Sequence, residues 1–141
     1  MSQQTPNENV HRELYEAGEK MRRKVMGDAW VDGSAKPDNT DFMRSMQEIG
    51  TEVAWGTIWT RPGLELKQRS LINIALLTAA GKEVELRAHL RGAARNGCTE
   101  IEIQETMLQT TIYCGMPAGV SMFRIADQAI KQLKEEGYFK S

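Results

Sequence analysis

The sequence predicts an all-α fold, a single-domain helical bundle of about six helices. Three observations predict it. Apolar residues recur at intervals of three and four along most of the chain. No segment alternates apolar and polar residues as a half-buried strand does. Glycine, proline or asparagine interrupts the chain where the helical period stops. At 141 residues the chain is long enough to bury a core without disulfides or metal. Residues 1–8, the polar "MSQQTPNE", are expected to be a flexible N-terminus, and 9–141 one domain.

The first helix is expected from Val10 to about Val25, with Leu14, Ala17, Met21 and Val25 at helical spacing and Gly27 as its stop. "GDAWVDGSAKPDN" is expected to be loop. Asn39 or Thr40 then caps a second helix, with Asp41 in its first turn and Phe42, Met46, Ile49 and Val53 as its apolar stripe. Trp55 and Trp59, four apart, share a face, and "TRPG" ends the helix because Arg61 precedes a proline.

A third helix is expected over about Glu65 to Ala80. "LINIALLTAA" is apolar nearly all round, which marks a central helix, and Gly81 ends it. "EVELRAHLRGAARNG" forms the fourth helix, closed by Asn96 and Gly97. Thr99 and Glu102 match a capping box and start the fifth. Ile101, Leu108 and Ile112 line one stripe of that helix, and Ile103, Met107 and Cys114 a neighbouring one. "CGMP" breaks it. Pro117 opens a sixth helix, whose inner face is Met122, Ile125, Ala129 and Leu133. "KQLKEEGYFKS" is expected to be a solvated end.

A formal net charge of −1 gives no reason to expect nucleic acid or an anionic membrane as partner. The longest apolar run is too short to span a bilayer. Cys98 and Cys114 form no C-x-x-C, and no signal peptide opens the chain, so a reducing cytoplasm is the expected compartment. Two cysteines and two scattered histidines match no zinc pattern, and neither a phosphate-binding glycine loop nor a G-x-S-x-G is present. No metal and no cofactor is expected.

The fourth helix carries the chemistry of interest. Glu85, His89, Gly92 and Asn96 make a polar stripe, edged by Ala88 and Ala93. Small residues leave room for a closely packed helix or for a pocket beside His89. Arg87, Arg91 and Arg95 form a separate row, and Leu86 and Leu90 supply the apolar contact. A Glu and a His at i,i+4 often make only a surface pair. The arginine row reads more readily as a solvated or interface face than as a binding site. The residues alone reach a helical domain with a candidate Glu85/His89 site.

Five stretches carry a resemblance. "YEAGEKMRRKVMGDAWVD", "EVAWGTIWTRPGL", "RSLINIALL", "ELRAHLRGAARNG" and "YCGMPAG" resemble, in that order and spacing, segments of the carboxymuconolactone decarboxylase family, of the alkylhydroperoxidase D-like superfamily. The peroxidase branch of that superfamily has a C-x-x-C, a histidine four residues later, and a glutamate upstream. Aligned on His89, those cysteine positions hold Lys82 and Glu85, and the glutamate position holds Ser70. The redox pair is missing, which fits the decarboxylase branch.

The resemblance implies cofactor-independent loss of carbon dioxide from 4-carboxymuconolactone, giving the β-ketoadipate enol-lactone in protocatechuate breakdown. Electrons from the breaking bond flow into the lactone carbonyl, so the substrate is its own electron sink. By the resemblance, His89 donates the proton or holds the oxyanion, and Glu85 orients it. Arg61 and Arg69 hold substrate carboxylates. Trp55, Trp59 and Tyr113 wall the pocket. A trimer or hexamer of this chain is implied. The rival readings are a different lactone or β-keto acid, a thiol-dependent redox protein using Cys98 and Cys114, and a non-catalytic, ligand-binding helical oligomer.

Overall fold

A computed structural model describes residues 6–34 and 40–140, and among these every regular element is helical. The chain divides into two compact units, one ending at Leu64 and the other beginning at Glu65.

In the first unit, helix α1 runs Glu8–Met26, α2 Asp28–Ser34 and α3 Asp41–Gly50, and α3 passes directly into a π-helix, Thr51–Ile58. The expected second helix is therefore two, an α-helix continued with wider turns. The π register shows in the bond from Trp59 N–H to the Ala54 carbonyl, 2.9 Å, five residues back. Thr40 caps α3 by accepting from the Met43 N–H at 3.2 Å; Asn39, the other candidate cap, lies outside the described residues.

Part of the expected loop is α2. Its Val31 is buried, and Arg23 of α1 binds Asp28 and Asp32 at 3.1 and 2.8 Å. These tertiary contacts outweigh the glycine and aspartate that favour a loop. Of the expected flexible N-terminus, residues 1–5 lie outside the described residues, and α1 already begins at Glu8.

Two glycines let α1 and the π-helix approach backbone to backbone. A Cβ on Gly18 would run into the Thr51 carbonyl, and one on Gly56 into the Leu14 carbonyl. Only glycine fits such an approach. The stripe of Phe42, Met46, Ile49 and Val53 forms as expected but faces outward, with Phe42 88% exposed.

In the second unit, α4 spans Leu66–Ala80, α5 Glu83–Arg95, α6 Glu100–Cys114 and α7 Met116–Glu135. Helix α4 packs on the other three, the central place that its apolar composition predicts. Ile74, Leu86, Leu90 and Ile103 are fully buried in the core, each contributing about 1.5–3 kcal/mol. Met107, Met122, Ala126, Ala129 and Leu133 complete it.

The reciprocal box at α6 is present, with Glu102 N–H to Thr99 Oγ1 at 3.0 Å and Thr99 N–H to Glu102 Oε1 at 3.1 Å. Gly81 ends α4 in the left-handed region, φ 66°. The C-terminal end departs from expectation. Tyr138 and Phe139 fold back and pack against the core, because two aromatic rings gain more by burial than by hydration.

Candidate functional site

His89 lies at the middle of α5, one turn after Leu86 and next to Leu90, both fully buried. These anchors draw the ring inward, so His89 is half-buried and its Nδ1 is shielded from solvent. Burial lowers its pKa from the ordinary 6.5; the Glu85 charge acts the other way and is outweighed. Glu85 itself is exposed in the first turn of α5. The neutral imidazole is thus the favoured form, suited to donating a hydrogen bond rather than to storing charge.

The stripe containing His89 also joins α5 to α4. Asn96 Nδ2 donates to the buried Ser70 Oγ at 2.9 Å. Arg69, beside Ser70 at the head of α4, is half-buried with its Nε shielded. Tyr113 on α6 is 84% exposed and borders an apolar groove of about 460 Å³, together with Leu71, Ala75, Leu76, Thr110 and Cys114. His89 is not among the residues that line this groove.

On the first unit, Trp55 and Trp59 stack with centroids 4.9 Å apart and planes at 25°. Trp59 is buried and Trp55 half-buried. Arg61 is exposed in the turn that follows, its N–H bonded to the Ile58 carbonyl at 3.1 Å.

The row of arginines on α5 holds the helix to the chain's C-terminal end. Arg87 donates to Gln128 at 2.9 Å, Arg91 to Glu136 at 2.8 Å, and Arg95 to the Tyr138 hydroxyl at 3.4 Å. Cys98 is buried and Cys114 exposed, and both are free thiols. Among the described residues, no cluster of three or more histidine, cysteine or acidic residues is placed to hold a metal ion.

One pair escaped the sequence reading. His11 Nδ1 lies 3.0 Å from Glu52 Oε2, across from α1 to the first turn of the π-helix. The Glu52 side chain is only 4% exposed and that of His11 35%. The positions are far apart in the sequence, and no local spacing announces the contact. The only hint was an acidic residue inside the apolar, tryptophan-rich stretch.

The sequence profile of the carboxymuconolactone decarboxylase family matches residues 44–128. The chain is 39% identical over 140 residues to a nitrosuccinic acid decarboxylase of Metarhizium robertsii, covering 99% of this chain and 97% of that protein. It is 40% identical over 119 residues to a 4-carboxymuconolactone decarboxylase of Acinetobacter baylyi, covering 84% of this chain and 88% of that one.

Proposed function

Since the chain belongs to the carboxymuconolactone decarboxylase family and is a carboxy-lyase, we propose that it decarboxylates 4-carboxymuconolactone to the β-ketoadipate enol-lactone, without a cofactor. The observation that carries the reading is the half-buried His89, kept in its neutral form by burial. A neutral N–H aimed at developing charge stabilises an oxyanion at no cost in desolvating a cation. In this reaction His89 holds the negative charge that reaches the lactone oxygen as carbon dioxide leaves. Glu85, one turn earlier, orients the ring.

Arg69 is the carboxylate-holding group of the second unit, and Tyr113 an apolar wall. Arg61, with the stacked Trp55 and Trp59, offers the same two kinds of contact on the first unit. The protein works as a trimer or hexamer. Outward-facing apolar residues such as Ile112, 72% exposed, and Leu76, 61% exposed, support self-association. No described helix is long and apolar enough to cross a membrane.

A second reading has its own support, the 39% identity to the nitrosuccinic acid decarboxylase over nearly the whole chain. The two acids share one chemistry. Each carries two carboxyl groups and has a π-acceptor, carbonyl or nitro, placed to take the electron pair that carbon dioxide leaves behind. Both are offered to the purified protein, with the lactone followed by ultraviolet absorbance and carbon dioxide measured for each. Turnover of the lactone at a kcat/KM at least tenfold above that of nitrosuccinate supports the first reading, and the reverse ratio supports the second.

A further inference from the structure

We infer that the groove between α6 and α7 is a two-fold contact with a second copy of this chain. The inference rests on the self-association proposed above and goes further, naming the surface and its symmetry. Leu108 and Ile112 of α6 and Met116 and Val120 of α7 line this groove, which has a volume of about 550 Å³. Their exposures run from 40% at Val120 to 72% at Ile112. Each pair is spaced by four residues, so its two side chains stack on one face of their helix. A contiguous apolar surface on the order of a few hundred Å² marks an interaction site.

The groove is shaped before any partner arrives. Gly119 of α7 lies so close to Thr111 of α6 that a Cβ there would overlap the threonine side chain. Glycine alone permits this approach, and it draws the two helices together. Thr111 is buried at the contact, and its hydroxyl donates to the Met107 carbonyl at 2.8 Å. The hydroxyl at the groove is thus satisfied within α6. Covering the groove leaves it no lost hydrogen bond with water to replace.

Charge says what covers the groove. Arg124 and Asp127 line it as well, one turn apart on α7. Arg124 has no hydrogen bond or ion pair among the described residues. Lys131 donates to Asp127 Oδ2 at 2.9 Å, which leaves Oδ1 to accept from elsewhere. In a two-fold contact, where one residue meets a second, the second also meets the first. Arg124 of one copy then faces Asp127 of the other, and the pair forms twice. The arginine fork matches a carboxylate. An apolar centre edged by one cation and one anion is complementary to itself. A partner carrying charge of a single sign leaves one of the two unmatched.

The four apolar side chains and these two charged ones supply the larger part of the about 800 Å² that each partner of a standard interface covers. The symmetry also separates the two assemblies. A trimer contains no two-fold contact, and three two-fold pairs make a hexamer, so this surface selects the hexamer.

The test uses the full chain, with particle mass from light scattering and dissociation constants from sedimentation over a dilution series, beside circular dichroism. Ile112→Glu places a charge at the centre of the contact. It is expected to halve the wild-type mass and to weaken pairing about thirtyfold or more, with the helical signal kept. Arg124→Glu and Asp127→Arg each set like charges together in both halves of the contact, and each is expected to weaken pairing about tenfold or more. Both on one chain exchange the two charges and restore pairing to within a few-fold of wild type. Phe42→Glu, on the exposed stripe of α3, is the control and does not halve the mass. A particle of wild-type mass in Ile112→Glu overturns the inference. So does a double variant that pairs no more tightly than either single one, or a halving by Phe42→Glu in place of Ile112→Glu. A wild-type dimer sustains the contact and overturns the trimer or hexamer reading. A wild-type trimer does the reverse, and a wild-type monomer at micromolar concentration overturns both.

Discussion

Arg91 and Glu136 are joined by two hydrogen bonds, 2.8 and 3.2 Å, that tie the middle of α5 to the residue just beyond α7. The pair is partly exposed, so solvent screens it, and its value is modest, about 0.5–1 kcal/mol. Arg91→Met is therefore expected to lower the melting temperature by a few degrees and to leave turnover unchanged. A double-mutant cycle with Glu136→Gln isolates the coupling, which shrinks in high salt.

Gly18→Ala is expected to be far more damaging. The added methyl meets the Thr51 carbonyl, which is backbone and cannot rotate away. Overpacking of this kind costs about 1–3 kcal/mol or more. Gly33→Ala is the control, because nothing lies near the Cβ it would gain. Equal melting temperatures for the two variants would contradict the backbone contact of α1 with the π-helix.

Burial of His89 makes stability depend on acid. A histidine whose folded pKa is lowered favours folding above the unfolded value of about 6.5, and that contribution is lost as pH falls through the folded value. Wild type is expected to lose more stability than His89→Gln between pH 7 and pH 5, measured by denaturant melts. Glu85→Gln removes the charge that favours the imidazolium and is expected to lower the His89 titration midpoint further, read from the imidazole proton shift by NMR.

The cysteines are expected to differ in reactivity. Burial pushes the Cys98 thiol up to about 11, and Cys114 is exposed. At neutral pH a thiol reagent titrates one cysteine quickly and the other slowly, with mass spectrometry placing the fast label on Cys114. Cys98 also favours folding below pH 9, a contribution lost as pH rises through about 11. Cys98→Ser and Cys114→Ser, singly or together, are expected to keep turnover within several-fold of wild type. Loss of turnover in a folded variant would revive the thiol reading.

Much of the second unit was legible in the sequence because its signals are local. The Thr99–Glu102 box, the stop at Gly81 and the inner face of Met122, Ala129 and Leu133 all follow from short-range spacing. The arginine row was legible as a face but not in its partners, since Gln128, Glu136 and Tyr138 are set by tertiary packing. Helix α2 and the π register escaped for the same reason. Val31 and Arg23 stabilise one, and no residue pattern distinguishes the other from a continuing α-helix. His89 stands out in the sequence as a candidate because small residues flank its stripe. The His11–Glu52 contact does not, because it joins two elements whose approach depends on the glycines at 18 and 56.

The role of His89 is tested most directly by the turnover of His89→Gln on the acid that the wild type decarboxylates best. Glutamine retains a hydrogen-bond donor but not the imidazole N–H in its place, and losing one oxyanion donor costs about a hundredfold to a thousandfold in kcat. A fall of that size is expected, with the helical signal and melting profile retained. Near-normal turnover in the folded variant would contradict it, leaving His89 as a packed residue of α5 and nothing more.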